Sequence, residues 1–249
     1  MRVVSLCPSL TELVFDLGRG DTLVGRTKFC VHPADAVAAI PSGGGTKDPK
    51  IDRVVALAPD LVLLNEEENR REDAEALRAA GIACHVSFPK TVPETAAMVR
   101  DIAAALDAPA AGERIAADIE TRLARVRARH AGENPVRWAY LIWRRPWMTV
   151  SGDTFVSALL AEAGGANVFA EHASRYPEIE PSDLKAADPA VVLMSSEPFP
   201  FAERHADELA AASGLPRDRF RLVDGELLSW HGSRTARGID YAAELLHGE

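Results

Sequence analysis

The sequence predicts an α/β protein with two parallel-sheet lobes, one long connecting helix and a ligand cleft between the lobes. Three observations carry that expectation. Short apolar, β-branched runs alternate with stretches of helical period along the whole chain. Near the middle, Ala110–Ala131 reads as one helix of about 20 residues, which at 1.5 Å per residue spans about 30 Å. The segment Leu57–Glu67 is also echoed by Ala187–Glu197, with Pro59 and Pro189 marking the same point 130 residues apart.

Strands are expected at Arg2–Leu6, Leu23–Thr27, Asp60–Asn65, Ala83–Phe88, Arg137–Trp143, Ala190–Ser196 and Phe220–Asp224. Between them, helices are expected at Ser9–Leu17, Asn69–Ala80, Pro93–Leu106, Thr154–Ala163, Ala202–Ala212 and Ser233–His247. Ser9 followed by Glu12 reads as a capping box for the first helix. Gly81 and the Gly164-Gly165 pair read as helix stops. In the long helix, Ile115, Ile119, Leu123 and Val126 form one apolar stripe, with Pro109 before it and Gly132 and Pro135 after it. These boundaries divide the chain into an N-terminal lobe at 1–108, a linking helix at 109–132 and a C-terminal lobe at 133–249.

Composition narrows the function classes. The 249 residues carry 28 Lys+Arg against 37 Asp+Glu, a formal charge of −9, and 47% are hydrophobic. That balance excludes a mainly disordered chain, and the acidic excess argues against a nucleic-acid partner. No apolar run is long enough to span a membrane. Cys7, Cys30 and Cys84 show no paired spacing, which suits a reducing compartment. The opening residues lack secretory-leader character, so the expected location is the cytoplasm, with the periplasm as the alternative if a leader has been removed.

No nucleophile elbow, Walker loop, zincin helix or dinucleotide fingerprint is present, so no catalytic residue is assigned and the chain reads as a non-enzyme. The run Ser42–Lys47 has glycines that could cradle an anion or simply form a loop. Glu66–Arg71 reads as a solvated helix start. Three loops following strands hold the candidate ligand-binding residues: Phe29, Cys30 and His32; Trp143, Arg144 and Trp147; and Trp230, His231 and Arg234. Lys47 joins them from the glycine loop. Aromatic rings beside cations suit a flat, partly anionic small molecule, and strand carboxyl ends are where open α/β sheets bind ligands. Cys30 and His32 could also ligate a metal.

The ordered stretches RVVSL, PSLTE, IDRVVALAPDLVLL, SGDTF and GGANVF, with Arg234 before the last helix, resemble the substrate-binding proteins of iron-chelate and cobalamin uptake. The stretches TKFCVHP, GGTKDP, NEEENRRED, WRRPWMTVSGDTF, SSEPFPF and SWHGSR resemble the branch described as helical-backbone metal receptors. That resemblance implies two lobes bridged by a rigid helix and a pocket lined by Phe29, Trp143 and the Trp230–His231 pair. Family members dock on an ABC permease through one glutamate per lobe. Those positions read Arg71 and Ser182 here, which speaks against ordinary permease delivery unless Glu72 and Asp183 substitute.

The first expected function is binding of a metal-containing chelate, a corrinoid such as cobalamin, with no cofactor required. Alternatives are a ferric-siderophore or haem receptor, an enzyme using Cys30, His32 and Glu67, and direct metal-ion binding through Cys30, His32 and His231.

Overall fold

Apolar strands buried on both faces organise the chain. The computed structural model describes residues 1–248, and these fall into two compact units. The first comprises Met1–Pro89, Pro93–Asp118 and His231–Arg234; the second comprises Lys90–Val92, Ile119–Trp230 and Thr235–Glu249. The division runs through the long helix, and a short C-terminal segment belongs to the first unit.

In chain order the first unit contains β1 (Val3–Ser5), α1 (Pro8–Asp16), β2 (Leu23–Arg26), α2 (Ala34–Ala38), α3 (Ile51–Ala56), β3 (Leu61–Asn65), α4 (Arg71–Ala79) and β4 (Ala83–Ser87). After β4 come α5 (Val92–Ala105) and α6 (Pro109–Arg129). The sheet order is β2-β1-β3-β4, all parallel, with Val3 opposite Leu61 and Leu61 opposite Ala83. β1 and β3 are buried nearly throughout, as expected of parallel strands covered on both faces. Val4, Leu6, Val62 and Leu64 pack one face against Val54, Ala74 and Leu77 from α3 and α4.

The second unit continues with β5 (Val136–Leu141), β6 (Trp147–Met148), α7 (Phe155–Glu162), β7 (Gly165–Asn167), β8 (Glu178–Ile179), α8 (Pro181–Ala187) and β9 (Val191–Ser195). It closes with α9 (Glu203–Ser213), β10 (Phe220–Val223), α10 (Gly225–Ser229) and α11 (Thr235–His247). Its main sheet is β10-β9-β5-β7, again parallel, and β6 pairs antiparallel with β8 as a small separate ribbon. Leu141, Val192, Met194, Leu209 and Phe220 lie together in one of its apolar clusters.

The echo between residues 57–67 and 187–197 is physical. Ala58 and Asp188 both adopt left-handed backbone, at φ 44° and 42°, just before the proline that leads into β3 or β9. An arginine beside each turn donates to its carbonyls: Arg2 to Leu57 and Ala58 at 2.7 and 3.2 Å, and Arg137 to Ala187. The N–H groups of Asp60 and Ala190 then donate to the carbonyls of Arg2 and Arg137, each at 2.8 Å. At the far end, the N–H of Glu67 donates to Asn65 Oδ1 at 2.9 Å and that of Glu197 to Ser195 Oγ at 3.2 Å. Turn, strand and strand end are therefore built twice from the same contacts.

Two local expectations are corrected. The capping box at Ser9 and Glu12 does not form. Pro8 takes the first helical position, where its missing N–H costs nothing, so Cys7 becomes the N-cap and Ser9 lies inside α1. Glu12 accepts from Arg234 instead. The buried stripe of α6 runs through Ala116, Ile119, Leu123 and Val126, while Ile115 is only half-buried. The stripe starts at Gly112, where a Cβ would stand 2.3 Å from that of Ala103, so the glycine lets α6 approach α5 closely. Gly81 and Gly164 end their helices in left-handed backbone, as expected. Among the described residues, no helix is long and apolar enough to cross a membrane.

Asn69 ties three segments of the first unit together. Its Oδ1 accepts from Asn65 N–H at 2.9 Å, and its Nδ2 donates to the carbonyls of Leu6 and Thr46 at 2.9 and 3.0 Å. Asn69→Ala should lower the unfolding free energy by roughly 2–5 kcal/mol, because it strands a buried N–H and two carbonyls. Urea unfolding checks this; a loss below about 1 kcal/mol would contradict it.

Candidate ligand-binding site

In the second unit, the chain leaving β5 turns back on itself. Met148 N–H donates to Trp143 O at 3.1 Å and Ile142 N–H to Met148 O at 3.0 Å, so Trp143–Met148 forms a tight projection at the strand's carboxyl end. The loop after β9 meets it with Phe199 and Phe201. Trp147 stacks on Phe201, with centroids 6.1 Å apart and planes 8° apart. Trp143 meets Phe199 edge-on at 5.8 Å, and Phe199 contacts Phe201 at 4.9 Å and His205 at 5.1 Å. Edge-on and offset contacts of this kind are favourable in themselves and hold the rings in fixed orientations. Phe201 is buried, whereas Trp143 is 40% exposed, so the cluster is anchored below and open at its edge.

Arg144 spans the side of this face. Its Nε and Nη2 reach Glu208 at 3.0 and 2.9 Å, and its guanidinium lies 6.0 Å from the Trp147 ring. Burial, with Arg204 and Arg144 nearby, holds His205 below the usual imidazole pKa. Trp230 departs from the expected stacking role. It is 8% exposed, and its Nε1–H donates to Glu197 Oε1 at 2.7 Å. Ser229 Oγ donates to the same oxygen at 2.9 Å. Glu197 is held by Ser195, which accepts from Tyr140 OH at 2.8 Å. Trp230 is thus a packed, hydrogen-bonded support.

The first unit offers a smaller surface. Phe29 is half-exposed, with the Lys28 ammonium 4.9 Å from its ring centroid. Gly45 backs the ring, and the glycine loop's amides are engaged internally: Gly43 N–H donates to Arg26 O and Gly45 N–H to Asp48 O. The anion-cradle reading of Ser42–Lys47 therefore fails. Lys47 Nζ donates to Glu67 O at 2.5 Å. Cys30 is buried, and its thiol lies 3.0 Å from Thr11 Oγ1 and 3.2 Å from Thr27 Oγ1. Burial pushes that thiol's pKa up, so it is a packed, protonated side chain. His32 is half-buried on the same loop.

His231 and Arg234 belong to this first unit, although Trp230 next to them belongs to the second. Arg234 Nε donates to Glu12 Oε2 at 2.6 Å, with both side chains largely buried. Asn65 Oδ1 is pinned by Glu67 N–H, so its Nδ2 faces His231 Nε2 at 3.0 Å. His231 Nε2 is therefore an acceptor, and the ring is neutral with its proton on Nδ1. Burial lowers its pKa to about 4. Among the described residues, Cys30, His32 and His231 form no group with converging ligand atoms. Metal binding by that trio fails because the Cys30 thiol and His231 Nε2 are already engaged.

Phe199, Phe201, Glu197 and Asn65 were not among the expected site residues. The signal for them was the alternation Phe-Pro-Phe directly after a strand end, and a lone polar residue closing an apolar run.

The second parallel sheet thus carries a cluster of aromatic side chains at its carboxyl end, the edge at which open α/β sheets hold small-molecule ligands. The chain belongs to the Periplasmic binding protein family, whose model matches residues 3–215. That family makes it a binding protein, not an enzyme. The chain is 28% identical over 205 residues to the vitamin B12-binding protein of Vibrio parahaemolyticus, covering 82% of this chain and 71% of that one. Among solved structures it resembles the periplasmic heme-binding protein RhuT of Roseiflexus sp. RS-1, with a TM-score of 0.84 and 27% identity. That match covers 97% of this chain and 96% of the other. The periplasmic vitamin B12-binding protein BtuF of Vibrio cholerae shares the fold, with a TM-score of 0.85, 23% identity, and coverage of 98% and 96%.

The depressed pKa of His231 sets a pH dependence. As pH falls, the unfolded chain takes up a proton near pH 6.5 while the folded chain resists until about 4. The stability that His231 contributes is whole above about 6.5 and is lost between there and about 4. In His231→Gln this loss should vanish. The stability difference between wild type and variant should shrink by roughly 3 kcal/mol from pH 7 to pH 4. Urea titrations at several pH values check this; a difference that does not vary with pH would contradict it.

Proposed function

We propose that the chain binds a flat metal macrocycle, a corrinoid of the cobalamin kind, as cargo. The observation that carries this reading is the ring cluster of Trp143, Phe199, Phe201 and Trp147 at the carboxyl end of β5 and β9. An exposed tryptophan edge on a rigid aromatic base gives stacking area at small entropic cost. Phe29 with Lys28 forms a separate, smaller aromatic surface in the first unit. The similarity to vitamin B12-binding proteins supports the same cargo.

The charges favour a corrinoid over a polyanionic siderophore. Arg144 is matched by Glu208 and Arg234 by Glu12, so neither offers an uncompensated cation to a multiply charged ligand. A corrin's amide-rich periphery needs hydrogen bonds and stacking, and only modest charge. Haem is the second reading, supported by the 27% identical heme-binding relative.

For its location we propose the periplasm, because the family is one of periplasmic binding proteins; this replaces the cytoplasmic expectation. Delivery to an ABC permease goes with that location. Of the two acids considered as docking groups, Glu72 is exposed on α4, whereas Asp183 accepts from Glu180 N–H at 2.8 Å and serves α8 as a cap.

Titration with cyanocobalamin and cobinamide, followed by visible absorbance and calorimetry, should show saturable one-to-one binding at micromolar affinity or tighter. Haemin serves as the competing probe. Trp143→Ala should weaken corrinoid binding tenfold or more, about 1.4 kcal/mol. No heat and no spectral change with either corrinoid would overturn the corrinoid reading. Saturation by haemin alone would establish the second.

A further inference from the structure

The ends of α6 and α11, both within the second unit, bring together a group that the aromatic face does not use. His130 follows α6, Glu133 lies in the turn after it, and His247 is the last residue of α11. His130 Nδ1 stands 2.9 Å from Glu133 Oε2, and His247 Nδ1 stands 3.6 Å from the same oxygen. One ligand atom from each residue lies within 4.8 Å of the others. The two imidazoles are stacked, with centroids 3.7 Å apart and planes 10° apart.

The tautomer of His247 is decided by its other nitrogen. Nε2 lies 2.8 Å from Ala163 O, and a carbonyl can only accept, so Nε2 carries the proton. In the neutral ring, Nδ1 is then a lone pair 3.6 Å from a carboxylate oxygen. Two electron-rich atoms at that spacing repel each other weakly, and a cation bound between them would reverse the sign of that interaction. A backbone carbonyl holding the far N–H of an imidazole is also how metal-ligating histidines are oriented. His130 differs at its far nitrogen, since Nε2 is buried without a partner, but its side chain is 4% exposed and its Nδ1 lies at hydrogen-bond distance from the shared oxygen. Glu133 is half-exposed, which leaves an approach from solvent.

We propose that His130, Glu133 and His247 form a binding site for a borderline divalent cation of the zinc type. Two imidazole nitrogens and one carboxylate oxygen are donors that such ions favour, and the fourth position faces water. Bonds of about 2.0–2.2 Å to all three require the stacked rings to splay, which their placement just after one helix and at the end of another permits. The site is separate from the residues proposed for the cargo and does not depend on that assignment.

The test uses the full chain, stripped with chelator and free of corrinoid, titrated with Zn²⁺ alone by calorimetry and with Co²⁺ by visible absorbance. One equivalent should bind at micromolar affinity or tighter, raise the melting temperature by mass action, and give Co²⁺ ligand-field bands. Glu133→Gln and His247→Gln should each weaken Zn²⁺ binding at least tenfold. Glu133 is at the surface, and a glutamine amide can still donate toward Ala163 O, so both variants should melt near the unliganded wild type. No saturable equivalent would overturn the proposal, as would wild-type affinity in both variants.

Discussion

A parallel strand that ends at a binding surface leaves backbone N–H groups pointing into the loop that follows, and how they are met decides where that loop goes. In both sheets the answer is a polar side chain on the last strand residue, which accepts the N–H two positions on. Asn65 does this for Glu67 and Ser195 for Glu197. The same side chains then reach sideways, Asn65 to Ser87 and His231, and Ser195 to Tyr140. Each sheet's loops are aimed by these contacts before any ligand is present, and the aromatic face follows from the second of them.

Charge is handled in the same economical way. Each unit has cations near its strand ends, yet Arg144 in the second and Arg234 in the first each have a carboxylate partner, and Lys47 in the first reaches a backbone carbonyl. Titratable groups at the strand ends are kept neutral by burial, as with His231 and Cys30. What remains for a ligand is largely ring surface and neutral hydrogen-bonding groups. Such a surface recognises shape and amide chemistry better than net charge, in keeping with a chain that is itself acidic.

Much of the fold was legible because parallel strands must be apolar on both faces. The runs at Leu61–Asn65 and Val191–Ser195 could be read directly, and their 130-residue echo marked two sheets. Short elements such as α2, α10 and the β6–β8 ribbon were not legible, since two to five residues carry no period. The site was half legible. Trp143 and Trp147 lie together as tryptophans in one strand-end loop should, but their partners Phe199 and Phe201 come from a loop more than 50 residues on, which periodicity cannot connect. Trp230 and His231 looked like one feature and fall in different units. Cys30 and His32 looked like metal ligands because spacing alone does not reveal that two threonines already hold the thiol. The group His130, Glu133 and His247 went unread because its members sit at the ends of two helices more than 100 residues apart.

The central claim is that the rings at the carboxyl end of β5 and β9 hold the cargo. A crystal structure of the chain grown with cyanocobalamin tests it most directly. The account predicts the corrin lying against Trp143 and Phe199, with the Trp147–Phe201 stack and the Trp230–Glu197 hydrogen bond retained beneath it. A corrin bound with no contact to Trp143 or Phe199 would contradict it.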